Sequence, residues 1–80
     1  MAIFYESTLK LLVNAKSVSR VTVLTVNEKQ KNKFVVKFQI GTEEILVSSK
    51  RERVRTWAKL DTVVSFLKEM GISDAELKIA

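Results

Sequence analysis

Near the start of the chain, apolar residues fall at Tyr5, Leu9, Leu12 and Val13, with Phe4, Leu11 and Ala15 beside them. Spacings of four, seven and eight residues place the first set on one helical face. This pattern predicts a helix over about residues 5–15, with Lys16 in its last turn suiting the negative end of the helix dipole. From Val18 the pattern changes. Val21, Val23, Leu24, Thr25 and Val26 are β-branched or strongly apolar and predict a strand, which the polar run NEKQKNK at 27–33 interrupts. Phe34, Val36, Phe38 and Ile40 then alternate with Val35, Lys37 and Gln39, the period of two of a half-buried strand. Gly41 and Thr42 supply a tight turn into a third strand over residues 43–49, with Ile45 and Val47 on one face. The links are too short for crossovers, so the three strands form an antiparallel meander.

A second helix follows. Leu60, Val63, Val64 and Leu67 share a face, Asp61 stands where an N-cap is expected, and Gly71 suits a C-terminal cap with Ile72 packing back over it. Leu77 and Ile79 alternate in the tail and can add an edge strand. The expected class is α+β: an antiparallel sheet of three or four strands with two helices, in the order α-β-β-β-α-(β). If both helices cover the face carrying Phe34, Val36, Phe38 and Ile40, the opposite face carries Val35, Lys37 and Gln39 with Arg20 or Thr22. That second face is open, mixed and cationic, suited to nucleic acid or to a second copy of the chain.

Composition narrows the classes. Eighty residues with 46% apolar and 29% charged content, two glycines and no proline read as one compact domain, residues 1–80, near the size at which a core becomes marginal. Cysteine and histidine are absent. Disulfides, thiolate nucleophiles, Cys/His zinc sites and imidazole bases are therefore excluded. The opening MAIFYESTLKLLVNAKS lacks a basic leader, and no segment approaches the roughly 18 apolar residues of a membrane span. A cytoplasmic protein without a membrane partner is expected.

Charge supplies the main functional lead. Lys50, Arg51, Arg53, Arg55 and Lys59 surround the one tryptophan, Trp57, against Glu52 alone, so this stretch carries 5 − 1 = +4 of the chain's net +5. Such a patch points to an anionic partner, nucleic acid foremost. In an extended segment Arg51, Arg53 and Arg55 would point to one side, as a row that tracks a phosphate backbone. The competing reading is a solvated edge strand guarded by charge against aggregation. Lys29, Lys31, Lys33 and nearby Lys37 form a second basic group that either grips phosphates or is an ordinary solvated turn. It gains weight if the fold brings it near the arginines. Phe34 and Phe38 sit in phase with Val36 and Ile40 and belong to the core rather than to a base-stacking platform. Trp57, lying among the cations, either stacks on a base or, as the favoured reading, forms a hydrophobic lid on the second helix.

Catalysis has little to stand on. Glu43 and Glu44 are adjacent on a strand and face opposite sides. Asp61, Asp74 and Glu76 lack metal-loop spacing, and no glycine-rich phosphate loop is present. No enzyme activity, metal or cofactor is expected.

Val54-Arg55, Trp57, Lys59-Leu60-Asp61-Thr62-Val63 and Phe66-Leu67-Lys68-Glu69-Met70-Gly71-Ile72 resemble a family of small plasmid-borne proteins, the ParC-type partition-associated proteins, distinct from the topoisomerase subunit of that name. Thr8-Leu9, Leu11-Leu12-Val13 and Val18 to Val21 fit the same pattern, so the likeness covers most of the chain and is sharpest over residues 54–72. Two departures are Trp57, where the family has Phe, and the longer, lysine-rich run at 27–33. The resemblance implies a non-enzymatic accessory of plasmid partition or maintenance and carries over no site residues. The expected function is nucleic-acid binding, DNA foremost, through Lys50, Arg51, Arg53, Arg55 and Lys59 with Lys31, Lys33 and Lys37. Partition proteins and a homodimer are further expected partners. The rival is a protein-interaction adaptor or homodimeric module using the exposed sheet face.

Overall fold

The computed structural model describes residues 2–79. Its elements are β1 (Ala2–Tyr5), α1 (Glu6–Asn14), β2 (Arg20–Glu28), β3 (Lys31–Ile40), β4 (Glu43–Ser48), α2 (Leu60–Met70) and β5 (Glu76–Lys78). β2, β3 and β4 form the expected antiparallel meander. The terminal strands flank it in parallel, β1 beside β4 and β5 beside β2, giving one five-stranded mixed sheet in the order β1-β4-β3-β2-β5. A wholly antiparallel sheet of three or four strands is therefore corrected to a mixed sheet of five, and the expected order to β-α-β-β-β-α-β.

The difference lies in four residues, Ala2–Tyr5. Phe4 faces the core beside Val47, while Ile3 and Tyr5 face the other way beside Leu46 and Ser48. A strand so short shows barely two periods, and the stronger helical spacing of Leu9, Leu12 and Val13 absorbed it. Tyr5 thus ends β1, with extended backbone, where a first helical turn was expected.

Topology explains why both helices lie on one face. β1 and β2 run parallel and are joined by α1; β4 and β5 run parallel and are joined by α2. Each connection crosses the sheet three places in the same direction from strands pointing the same way. Crossovers share one handedness almost without exception, so both helices land on the same side. There Leu9, Val63, Phe66, Leu67 and Met70 pack with Val21, Val23, Val36, Phe38, Ile45, Val47 and Trp57 into one core. Phe38 lies fully buried at its centre. The opposite face presents Ile3, Tyr5, Leu24, Val26, Val35, Lys37, Gln39, Glu44 and Leu46, and no described element covers it.

α2 is turned relative to its expected face. Val63, Phe66, Leu67 and Met70 are buried at helical spacing, whereas Leu60 and Val64 are 39% and 43% exposed. Lys59, not Asp61, holds the N-cap position in extended conformation, and Asp61 lies in the first turn, where its charge favours the helix dipole. The C-terminus ends as expected: Gly71 is left-handed (φ 87°), its N–H donates to the Lys68 carbonyl and that of Ile72 to Leu67. α1 closes with the same paired bonds, from Lys16 to Val13 and from Ser17 to Leu12, but with Lys16 itself at φ 59° in the glycine position.

Candidate nucleic-acid interface

The polar run at 27–33 does not interrupt the strands; it is their tip. β2 and β3 stay in register from Arg20↔Gln39 to Glu28↔Lys31, leaving Lys29 and Gln30 as a two-residue turn with φ of 51° and 65°. Both are left-handed, the turn whose twist suits a hairpin, here built without glycine. Polar side chains do not break this ladder because backbone bonds form it and water bathes the tip. β4 pairs β3 only between Lys37 and Ile40, so the first part of β3 projects with β2 as an arm beyond β4. Lys31, Lys33 and Lys37 lie on its uncovered face. Lys37 is not free: it forms an ion pair with Glu44 on the neighbouring strand. Its hydrogen bond first, and its charge second, hold the Glu44 carboxyl below the usual glutamate range.

The second basic group follows β4. Residues 49–54 form no strand. Ser49 N–H donates to the Glu52 carbonyl (3.0 Å), and Glu52 N–H to the Ser49 hydroxyl (3.1 Å), which folds the chain into a turn. The Glu52 carboxylate accepts from the Thr56 hydroxyl at 3.0 Å. Arg55 N–H then donates to the Val47 carbonyl (2.7 Å), and Trp57 exchanges two backbone bonds with Phe34 (2.8 and 2.9 Å). The expected extended row of Arg51, Arg53 and Arg55 is accordingly corrected. Arg51 and Arg53 stay on the exposed turn with Lys50, while Arg55 turns inward.

Arg55 has a structural position. Its guanidinium pairs with Glu6 at the start of α1 (3.0 Å) and lies 4.7 Å from the Trp57 ring centroid and 5.4 Å from that of Phe66. Trp57 is 5% exposed and packs on Phe66 of α2, the lid expected from its place before that helix. A ligand meeting this surface touches neither ring first.

The fold does bring the two basic groups to one end of the sheet. β3 starts where β4 ends, and the Trp57–Phe34 bridge sets residues 57–59 alongside the start of β3. In the arm, Lys29, Lys31 and Lys33 against Glu28 leave +2; in the loop, Lys50, Arg51, Arg53 and Lys59 against Glu52 leave +3. Together these equal the chain's whole net charge of +5, so the remainder balances. Among the described residues, none of these seven cations has a carboxylate partner within ion-pair distance. Elsewhere three cations meet acids, Arg20 with Glu76, Lys37 with Glu44 and Arg55 with Glu6, while Lys10, Lys16, Lys68 and Lys78 are offset only by the overall balance of charge.

No described group of three or more Asp and Glu residues is placed to hold a metal ion. No helix among the described residues is long and apolar enough to cross a membrane. No protein-family model, curated protein or solved structure matches this chain. Sequence reasoning passed over Tyr5, which stands exposed beside the cationic turn. The alternation of Ile3, Phe4 and Tyr5 was the available signal for a strand there.

Proposed function

We propose that the protein binds nucleic acid, DNA in the first instance, through the cationic end of its sheet, and that it catalyses no reaction. Charge segregation carries this reading: seven cations gather at one end against only Glu28 and Glu52, while the rest of the molecule is net neutral. Lysine and arginine side chains so placed neutralise phosphates and release counterions, which gives affinity without base reading. Lys50, Arg51, Arg53, Lys59, Lys31 and Lys33 carry the contacts. Arg55 and Lys37 serve the fold. The likeness of residues 54–72 to partition-associated proteins supports a role as a cytoplasmic accessory of plasmid partition or maintenance, alongside partition proteins. Titration of the protein into labelled duplex and single-stranded DNA tests the reading. Micromolar binding at low salt that collapses as salt rises is the expected anisotropy result. No binding at low salt would remove it.

A second reading rests on the uncovered sheet face, where Ile3, Leu24, Val26 and Leu46 remain only half-buried and the ion pairs Lys37–Glu44 and Arg20–Glu76 lie among them. A second copy of the chain or a protein partner covers this face in the adaptor reading. Mass measurement in solution separates the two, since a concentration-independent monomer that binds DNA counts against a homodimer.

A further inference from the structure

A single exposed aromatic needs no special cause, but the surroundings of Tyr5 set it apart. Tyr5 is the chain's one tyrosine and is 62% exposed at the end of β1, an edge strand of the sheet. It borders two open clefts. One, about 560 Å³, is lined by Ile3, Lys50, Arg51 and Arg53; the other, about 460 Å³, by Glu6, Ser7 and Lys50. Ser48 and Ser49 border both. Each volume is in the range that accommodates a small ligand. The two carboxylates nearby are already engaged, Glu52 by Thr56 and Glu6 by Arg55. An incoming molecule therefore meets an aromatic ring, serine hydroxyls and the cations Lys50, Arg51 and Arg53, which outnumber the one carboxylate, Glu52, that lines the larger cleft with them.

From this geometry, and resting on the nucleic-acid reading above, we infer that Tyr5 is a stacking platform for an unpaired base, with Lys50, Arg51 and Arg53 holding the flanking phosphates. Single-stranded nucleic acid is then the preferred ligand. In a duplex each base is stacked within the helix and cannot reach the ring, whereas a single strand offers its bases freely. Stacking on an aromatic side chain tolerates every base, so the preference is for strandedness rather than sequence.

The test compares a fifteen-residue oligothymidine with a duplex of equal length at low salt, using the whole protein and its Tyr5→Ala and Tyr5→Phe variants. The expected result is tighter binding of the single strand, a loss of about tenfold for Tyr5→Ala on that strand only, and retention by Tyr5→Phe. Unfolding curves followed by Trp57 emission check that each variant is folded. Salt-sensitive binding to both polymers, unchanged by Tyr5→Ala, would overturn the stacking role while leaving the cationic interface in place. Absence of binding to either polymer would overturn both.

Discussion

Arg55 shows how a residue's charge differs from its role. In the sequence it is one of five cations between positions 50 and 59. In the fold its N–H extends the sheet at Val47, its guanidinium pairs with Glu6, and its flat face lies against Trp57 and Phe66. It thereby ties the start of α1 to Trp57 and to the middle of α2 through a partly buried contact. Exposed ion pairs contribute at most about 1 kcal/mol, and cation–π contacts about 0.5–2 kcal/mol depending on desolvation. Arg55→Ala is expected to destabilise the fold by about 1–2 kcal/mol in urea unfolding read by Trp57 emission, with affinity for DNA unchanged. Loss of affinity without loss of stability would reverse that assignment. Glu44 gives a second prediction at this scale. Lys37 holds its carboxyl below the ordinary glutamate value of about 4.3. A lowered folded-state value means that the pair stabilises at neutral pH and loses that share as pH falls through the lowered value. Wild type and Glu44→Gln should therefore converge in stability on acidification below about pH 4. A gap as wide at pH 3 as at pH 7 would contradict the pairing.

At the scale of elements, two turns are built from residues that favour other conformations. Lys16, Lys29 and Gln30 are all left-handed without being glycine, at φ 59°, 51° and 65°. Each such position costs about 1–2 kcal/mol relative to ordinary backbone. Lys16→Gly and Gln30→Gly are each expected to raise stability by about 0.5–1 kcal/mol, measured as a higher melting temperature. Lower melting temperatures for both would mean that side-chain contacts there outweigh backbone strain. These turns also mark where sequence reasoning stopped. Gly71 announced its cap because glycine is the residue that position favours, whereas Lys16 in the equivalent place gave no sign. The hairpin tip was equally silent, since Lys29 and Gln30 stand where Asn-Gly would declare a turn. β3 was legible because Phe34, Val36, Phe38 and Ile40 alternate across a face that is dry on one side only. α2 was legible in extent but not in rotation: Leu60 and Val64 are apolar like Val63, and only packing against the sheet decided among them.

At the scale of the molecule, β1 and the parallel pairing of both terminal strands are what the pattern hid, whereas the tail strand itself was legible in the alternation of Leu77 and Ile79. β1 and β5 pair in parallel with strands distant in sequence, and such partners leave no mark on local periodicity. The meander, the two helices and the uncovered face did follow from alternation and link length. Of the candidate site, residue type gave the cations but could not say which were already paired. Their separation into structural residues, Arg55 and Lys37, and free ones depended on where Glu6 and Glu44 come to lie. The convergence of arm and loop likewise depended on the Phe34–Trp57 bridge. The free cations at that end carry the proposed activity, so the salt dependence of DNA affinity tests it most directly. Wild type is to be compared with the triple variant Lys50→Ala, Arg51→Ala, Arg53→Ala and with Arg55→Ala. Each lost phosphate contact lowers the slope of log affinity against log salt by about 0.7–0.9. The expected result is a slope shallower by about 2–3 for the triple variant and unchanged for Arg55→Ala. A triple variant with the affinity and slope of the wild type would contradict the cationic interface.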